Sequence, residues 1–267
     1  MRDIMQVKKA QSIIGLITDF GNDDNYVGVV KGVIKGMVPG QEIIDISHGV
    51  VSYSVTNAQF CLYSSYRFFP AGTVFYIVVD PAVGTRRRAL IAEDGGRQFV
   101  APDNGILDAA LSPAAKVYAV REERFGEVSA TFHGRDIFAP VAAFLAGGMS
   151  PAELADPIDD YARAPFPVYS AGGGVFRGSV VHVDKFGNVI TSLPNDLLNA
   201  MRPGAFRIHG PGGMFMAVPG HTFADLDRGT AGLLIGSAGL LELAMNCASL
   251  AGRYGMKIDD GIVIEHE

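Results

Sequence analysis

Acidic, basic and histidine side chains cluster in two short polar segments of this sequence. In DPAVGTRRR, which begins at Asp80, one carboxylate is followed by a Pro/Gly loop and three arginines; FHGRDIF places His133 beside Arg135 and Asp136. A guanidinium can hold a carboxylate through two hydrogen bonds or stabilise an anion, and histidine exchanges protons near neutral pH. The two segments therefore supply a candidate acid, cation and general base, with a surface turn and a structural histidine as the alternatives.

A third polar segment, TDFGNDD, carries three carboxylates within six residues, those of Asp19, Asp23 and Asp24. These charges repel one another unless a metal ion, an ammonium group or sugar hydroxyls compensate them. The segment lacks the ligand spacing of an EF-hand, and no Gly-rich or HRD segment accompanies it to support a kinase DFG motif. The remaining alternative is a solvated loop in which an aspartate caps the next helix.

Further polar segments are typical of turns. PDNG at 102–105 and DKFGN at 184–188 contain Asn or Asp beside Gly, which favours positive φ. TFAD at 222–225 separates two apolar segments. GSAGLLE at 236–242 predicts a loop whose backbone amides, together with the N-terminus of a following helix, can hold a carboxylate.

Apolar segments predict the elements that position these residues. Strands are expected at 12–17, 42–46, 72–79, 89–93 and 98–101, and helices at 26–37, 55–69 and 138–146. Alternation of strands and helices indicates an α/β layer with a mostly parallel sheet. Asp19 and Asp80 then lie at the carboxyl ends of strands, which is the edge at which open α/β sheets bind ligands.

The chain changes character near Tyr161. Segment 162–174, with two prolines and three consecutive glycines, predicts a linker. The strand-like segments that follow are VFRGSVVHVD, NVITSL, AFRIHG, MFMAVPG, GLLIGS and IVIEHE. Such short strands indicate a small β-barrel or sandwich, with one helix at 240–250. We therefore expect an α/β domain at 1–165 and a smaller β domain at 166–267.

Composition excludes several classes of protein. A length of 267 residues allows one large domain or two modest ones, and a net charge of −6 without a Lys/Arg-rich block argues against a nucleic-acid partner. No stretch approaches 18 apolar residues, and the N-terminal apolar run ends at Asp19, so neither a membrane span nor a signal peptide is expected. Cys61 and Cys247, far apart in apolar surroundings, predict buried reduced thiols and a cytoplasmic location.

Nine segments follow one another along nearly the whole chain. They are TDFGNDDNYVG, DISH, FFPAGTVF, DPAVGTRR, PDNG, FHGRDIFAPVAA, DKFGN, TFAD and SAGLLELAMN. Together they resemble the S-adenosylmethionine (SAM) hydrolases, also called SAM hydroxide adenosyltransferases, which are relatives of the fluorinase and the chlorinase. The resemblance implies an N-terminal Rossmann-like α/β domain and a C-terminal β-barrel domain. It also implies a homotrimer that holds SAM between the N-terminal domain of one subunit and the C-terminal domain of its neighbour.

The resemblance further implies that SAM is the substrate and that no cofactor or metal takes part. The halogenases carry Tyr and Ser at the positions that match Asp80 and His133, whereas the hydrolases carry an Asp-Arg-His set, here Asp80, Arg87 and His133. A carboxylate at position 80 would repel a halide. The implied reaction is attack of water or hydroxide on the ribose C5′ of SAM, which yields adenosine and L-methionine. His133, held by Asp80, would remove or polarise the water proton, and Arg87 would stabilise hydroxide charge.

Roles in binding the ribose and the methionine follow from the same resemblance. Asp19 would accept hydrogen bonds from the ribose hydroxyls, and Tyr53 would face the ribose or the adenine. Asp24 and Asp184 would neutralise the methionine ammonium. Ser237 would bind the methionine carboxylate.

The adenine would lie among residues of the C-terminal domain. Phe186 and Phe223 would pack against its ring, and Asn188 would bind its edge. Ala238 stands where the fluorinase has an arginine on the substrate carboxylate, so that contact must be made in another way. Glu242 belongs to the hydrolase-like version of this segment, and we include it among the substrate-binding residues.

The sequence leaves three other functions open. The first is a SAM-dependent halogenase-like enzyme, and the second is a regulator that binds SAM or adenosine without turnover. The third is a metal-dependent hydrolase built on Asp19, Asp23 and Asp24.

Overall fold

The computed structural model describes residues 12–200 and 204–266, and the chain divides into two compact units after Ala164. Residues 1–11, on which the signal-peptide argument partly rests, lie outside the described residues. Within the described ranges, no helix is long and apolar enough to cross a membrane.

The N-terminal unit contains a seven-stranded sheet with the order β2-β1-β3-β5-β4-β6-β7. Its strands are β1 (Ile13–Thr18), β2 (Glu42–Ser47), β3 (Val74–Val78), β4 (Ala89–Asp94), β5 (Arg97–Pro102), β6 (Lys116–Val120) and β7 (Ala155–Ile158). Strands β2, β1, β3 and β5 are parallel, and the pairings from β5 through β4 and β6 to β7 are antiparallel.

The sheet is therefore mixed, and the Rossmann-like label is not confirmed. The expectation of a mostly parallel sheet was wrong because β4 and β5 form a hairpin. Its two-residue turn, Gly95 and Gly96, has positive φ at both positions, as tight hairpins require. The sequence had predicted both strands of this hairpin, but it gave no sign of β6 and β7, which extend the antiparallel half.

Helices cover both faces of the sheet. They are α1 (Tyr26–Met37), α2 (Val55–Ser65), α3 (Ala139–Ala146) and the short α4 (Pro151–Leu154). Because strand side chains alternate between faces, Leu16 and Tyr76 pack in the cluster that contains α1 and α3, whereas Phe75 and Phe99 stack at 5.3 Å among buried residues outside that cluster. Burial on both faces explains why the strand segments are continuously apolar.

The C-terminal unit is a closed barrel of seven strands with the order β10-β14-β13-β12-β11-β15-β9, closed by pairing of β9 with β10. An eighth strand, β8, pairs with β9. The strands are β8 (Ser170–Gly172), β9 (Val175–Val183), β10 (Val189–Pro194), β11 (Phe206–Gly210), β12 (Gly213–Gly220), β13 (Ala231–Ile235), β14 (Leu240–Met245) and β15 (Gly261–His266). The predicted β-barrel is therefore confirmed. Two short helices, α5 (Leu197–Ala200) and α6 (Leu250–Tyr254), accompany it.

The helix expected at 240–250 was wrong. Residues Leu240–Met245 form β14, which pairs with β13 and β10, and a helix begins only at Leu250. The segment is rich in good helix formers, but its pairing on both sides in the barrel overrides that propensity. No helix N-terminus follows the 236–239 loop, so the predicted anion site at such a terminus is also wrong.

The two cysteines are unpaired, as expected, but they are not both in the core. Cys61 is partly buried, and burial raises the pKa of its thiol to about 12, so it is a poor nucleophile at neutral pH. Cys247 is exposed, with a φ of 57°. The prediction of a buried thiol at position 247 was therefore wrong.

Candidate active site

Asp19 directly follows β1, at the carboxyl edge of the parallel strands, as the sequence predicted. Its Oδ2 accepts a hydrogen bond of 2.9 Å from the backbone N–H of Tyr53. Burial raises the pKa of Asp19; hydrogen bonds from the Tyr53 and Asp19 amides oppose the increase, and the charge of Asp80 adds to it. Asp19 is thus a carboxylate that no described cation neutralises.

Tyr53 adopts an unusual backbone conformation. Its φ is 68°, and its side chain is 72% exposed. A left-handed backbone at a bulky residue costs on the order of 1–3 kcal/mol and is found mainly at functional sites. The hydrogen bond to Asp19 and the cap of α2, in which Ser54 accepts from Asn57 N–H, hold the loop in this conformation.

Arg87 joins Asp80 to His133. Its Nε lies 3.0 and 2.9 Å from the two oxygens of Asp80, and its Nη2 also contacts Asp80 Oδ2. The same Nη2 lies 3.1 Å from His133 Nδ1. The side chains of Arg87 and Asp80 are only 7% and 6% exposed, so this ion pair is largely shielded from water. His133 is therefore held by Arg87, and the expectation that Asp80 holds it was wrong.

This contact determines the tautomer of His133. A guanidinium only donates hydrogen bonds, so Nδ1 of His133 must accept. In a neutral imidazole the proton then resides on Nε2. His133 consequently presents an N–H donor through Nε2, and the lone pair that would make it a base is engaged by Arg87.

The three consecutive arginines have different environments. Arg86 is exposed, Arg87 turns inward to Asp80, and Arg88 pairs with Asp103 at 2.7 Å and with Asp160 at 2.9 Å. Asp103 also accepts a hydrogen bond from Ala162 N–H. The PDNG segment thus binds the backbone near the end of the N-terminal unit, which agrees with its interpretation as a structural turn.

A π-helical turn, Gly134–Phe138, begins directly after His133 and leads into α3. The Gly134 carbonyl accepts from the buried Tyr76 hydroxyl at 3.1 Å, and a Cβ at Gly134 would lie 2.9 Å from that oxygen. A side chain at position 134, directly after His133, would therefore collide with the Tyr76 hydroxyl, so only glycine fits there. Such π-turns occur frequently at functional sites.

Five of the predicted residues line one pocket of about 350 Å³ in the N-terminal unit. They are Asp19, Asp24, Tyr53, Asp80 and His133. Arg87 is not among the lining residues, so it supports Asp80 and His133 from behind rather than facing the pocket. Asp24 is exposed at its rim; the cap position of α1 is Asn25, without a side-chain cap, so no aspartate caps this helix.

Sequence reasoning missed the aromatic wall of this pocket. Phe20, Tyr26 and Phe132 all line it, and the ring centroids of Tyr26 and Phe132 lie 5.1 Å apart at an angle of 83°. Phe20 contacts both rings, at 5.9 and 6.1 Å. The three residues fall within quoted motifs, but their convergence depends on two loops that meet only in the fold.

In the C-terminal unit, Asp184 organises the turn between β9 and β10. Its Oδ1 accepts from the amides of Phe186 and Asn188, and its Oδ2 accepts from Asn188 Nδ2, all at 2.9 Å. Gly187 has a φ of 83°, and a Cβ there would lie 2.0 Å from Ser249 Oγ. The turn leaves the Phe186 ring 66% exposed.

Glu242, on β14, lies near this turn. Burial raises the pKa of Glu242, and the charge of Asp184 adds to the increase. A Cβ at Gly236 would lie 3.4 Å from Glu242 Oε2, so the carboxylate reaches the β13–β14 loop that carries the exposed Ser237. Phe223 lies after β12, the strand that pairs in parallel with β13. Its side chain is 47% exposed. Asp184, Asn188 and Glu242 are thus brought together, with Ser237 in the adjacent loop.

The three-aspartate segment does not form a metal-binding group. Among the described residues, no three His, Cys, Asp or Glu side chains are placed to hold a metal ion together. Of Asp19, Asp23 and Asp24, only the first and the last line the pocket.

An α/β unit with a polar pocket at its parallel-strand edge, followed in the chain by a closed barrel, defines a two-domain α/β and β-barrel enzyme. The chain belongs to the SAM hydroxide adenosyltransferase family. Residues 14–155 match the N-terminal domain of that family, and residues 178–263 match its C-terminal domain.

Individual proteins show the same relationship. The (R)-S-adenosyl-L-methionine hydrolase of Thermus thermophilus is 35% identical over 90% of this chain and 94% of its own length. A fluorinase from Actinoplanes sp. is 29% identical over 92% of this chain and 94% of its own length. The crystal structure of an uncharacterized conserved protein from Thermotoga maritima has a TM-score of 0.87 and 37% identity, covering 95% of this chain and 100% of that one.

The raised pKa of Asp19 can be tested directly. We expect the carboxyl group of Asp19 to titrate above the ordinary range of aspartate. Asp225 should titrate below that range, because hydrogen bonds from the Thr222 and His221 amides lower its pKa. The pKa of Asp19 should fall in Asp80→Asn because a neighbouring negative charge is removed. Carboxyl ¹³C shifts followed against pH measure both values. An Asp19 titration that does not change in Asp80→Asn would contradict the coupling.

The buried ion pair gives a prediction about stability. Arg87→Met should lower the free energy of unfolding by about 3–5 kcal/mol because it leaves the Asp80 charge buried and uncompensated. The matched control Arg86→Met, at an exposed position, should change it by less than about 0.5 kcal/mol. The double variant Asp80→Asn/Arg87→Met should recover part of the loss. Equal urea unfolding curves for Arg87→Met and Arg86→Met would refute this account.

Proposed function

We propose that this protein hydrolyses SAM to adenosine and L-methionine. The observation that carries the proposal is the Asp80–Arg87–His133 set, in which one buried guanidinium orients an acid and an imidazole that both line the pocket. The names of its relatives support the same substrate: the Thermus thermophilus protein is called an (R)-S-adenosyl-L-methionine hydrolase.

The reaction is a substitution at the ribose C5′. The oxygen of water forms a bond to C5′ while the C5′–S bond breaks, and its electron pair goes to sulfur. The sulfonium thereby becomes the neutral thioether of methionine, so the leaving group needs no proton. The water oxygen becomes the 5′-hydroxyl of adenosine and releases one proton. The protein must align the water and stabilise hydroxide character, and alignment alone supplies up to about 7–11 kcal/mol in ideal cases.

The geometry favours different roles for Asp80 and His133 in this step. A carboxylate has about four lone-pair sites, and Arg87 approaches Asp80 from one side, so Asp80 can still accept the water proton. His133 offers Nε2–H, which can donate to the oxygen as negative charge develops on it. Arg87 fixes both groups and compensates the charge of Asp80, and it acts as a positioning residue rather than contacting the water.

The remaining groups of the pocket suit the substrate. Asp19 can accept from both ribose hydroxyls, because its Oδ2 uses one site for Tyr53 N–H and no side-chain donor among the described residues contacts its Oδ1. Tyr53 would face the ribose or the adenine. Asp24, at the rim, would compensate the ammonium of the methionine part.

The C-terminal unit supplies complementary groups. We assign Asp184 to the substrate ammonium and Ser237 to the carboxylate. We also assign Phe186 and Phe223 to the adenine faces and Asn188 to its edge. Glu242 adds a second carboxylate beside Asp184, which supports a cation as the ligand at this place.

We further propose a homotrimer in which the SAM site lies between the N-terminal domain of one subunit and the C-terminal domain of the next. The exposed rings of Phe186 and Phe223 support this, because a neighbouring subunit would cover them. A cytoplasmic location is proposed from the two unpaired cysteines. The proposed reaction requires neither a cofactor nor a metal.

The proposed activity predicts the products of one incubation. SAM with the purified protein and EDTA should yield adenosine and methionine in equal amounts, unchanged by added fluoride or chloride, because the Asp80 charge disfavours a halide in the pocket. Chromatography of the mixture measures both products. A 5′-halo-adenosine would establish a halogenase instead, loss of activity with EDTA a metal enzyme, and SAM bound but unchanged a regulator.

The tautomer of His133 predicts how its variants behave. His133→Asn can still accept from Arg87 but has no donor at the Nε2 position, and it should lower kcat by about 10²–10³-fold with a nearly unchanged KM. His133→Gln can place an amide N–H near that position and should retain more activity. Steady-state kinetics of both variants provide the measurement. Equal losses, together with disappearance of the acidic limb of the pH–rate profile in both variants, would instead assign His133 as the base.

A further inference from the structure

The DISH segment forms a chain of polar contacts that the proposed mechanism does not use. Lys31 Nζ of α1 lies 2.6 Å from Asp45 Oδ2, and Asp45 Oδ1 lies 3.0 Å from His48 Nε2. His48 Nδ1 lies 2.8 Å from the hydroxyl of Thr18, the last residue of β1. The chain thus runs from a helix across β2 to the residue before Asp19.

The inner part of this chain is buried. His48 is 5% exposed and Thr18 is 1% exposed. Burying an imidazole and a hydroxyl costs free energy unless both form hydrogen bonds, and an apolar pair would pack here without that cost. The polar pair therefore needs an explanation beyond packing.

The contacts orient one another consistently. Asp45 beside Nε2 favours the proton on that nitrogen, so Nδ1 of His48 accepts from the Thr18 hydroxyl. The Thr18 oxygen remains free to accept from Phe20 N–H, at 3.3 Å. Two hydrogen bonds then converge on the hydroxyl of Thr18, the residue before Asp19.

The same histidine also holds the far side of that turn. Its backbone carbonyl accepts from Gly21 N–H at 2.8 Å, and Val50 N–H donates to the Thr18 carbonyl at 3.3 Å. The 48–53 loop ends at Tyr53, whose amide donates to Asp19. His48 thus contacts the chain before and after Asp19 and begins the loop that holds its carboxylate.

We propose that Thr18 and His48 are positioning residues that fix the Asp19 carboxylate and the strained Tyr53 loop for ribose recognition. This inference rests on the proposed function only for the identity of the ligand. The fixation itself is a property of the unliganded protein.

The experiment compares three variants. Thr18→Val keeps the side-chain volume and removes the hydroxyl, whereas Thr18→Ser keeps the hydroxyl and removes one methyl group. Thr73→Val is the matched control, because Thr73 is fully buried in the same unit and its hydroxyl has no hydrogen-bond partner among the described residues. Amide hydrogen exchange at Gly21 and Tyr53 and affinity for nucleosides are measured for each.

We expect Thr18→Val to accelerate exchange at both amides, with Thr18→Ser and Thr73→Val close to the original protein. We also expect the preference for adenosine over 2′,3′-dideoxyadenosine to fall about tenfold in Thr18→Val, because a misplaced carboxylate loses the hydroxyl contacts. Affinity for the dideoxy compound should not change. A KM increase larger than the kcat decrease should accompany this loss.

Unchanged exchange at Gly21 and Tyr53 in Thr18→Val would overturn the inference. Equal acceleration of amide exchange in Thr18→Val and Thr73→Val would also overturn the inference, since it would reflect general destabilisation. Asp19→Asn separates the two hypotheses. If it keeps the preference for adenosine, the ribose role of Asp19 fails, whereas accelerated exchange in Thr18→Val would still support the positioning role.

Discussion

The guanidinium of Arg87 is the group on which the candidate active site depends. Its side chain is buried and paired with Asp80, with Glu122 3.8 Å from its Nη1, so removal of either member of the Asp80–Arg87 pair leaves a buried charge poorly compensated. The ring of Phe138 lies 4.9 Å from its Cζ, which adds an aromatic face to the ion pair. Because the same nitrogen reaches Asp80 and His133, one side chain fixes the orientation of the acid and the tautomer of the imidazole.

The fold explains how this arrangement is assembled. Strands β1 and β3 are parallel neighbours, so the residues after them, Asp19 and Asp80, emerge at the same edge of the sheet. His133 comes from the turn before α3, whose position is fixed by Tyr76 in the middle of β3. The centre of the sheet therefore supports Asp19, Asp80 and His133, and the loops add Asp24 and Tyr53 to the pocket lining.

The sequence predicted those parts that depend on local pattern. Apolar runs located most strands of both units, and polar residues at strand ends indicated the edge that bears the site. Prediction from the sequence failed where hydrogen-bonded pairing between strands, rather than local residue pattern, determines the secondary structure. Leu240–Met245 has helical composition but becomes β14 between two strands, and the hairpin of β4 and β5 makes half of the sheet antiparallel. The placement of Arg87 between Asp80 and His133 also depends on tertiary geometry, which composition and spacing do not encode.

Charge compensation distinguishes the candidate site from the rest of the surface. Asp136, Asp156 and Asp160 each have an arginine partner that lowers the pKa. Asp19 and Glu242 have raised pKa values, since burial and a second carboxylate act on each. Carboxylates held without a cation are costly in an unliganded protein, and a ligand that brings positive charge recovers that cost. A substrate with a sulfonium and an ammonium group meets this requirement, whereas a halide would add to the negative charge already present.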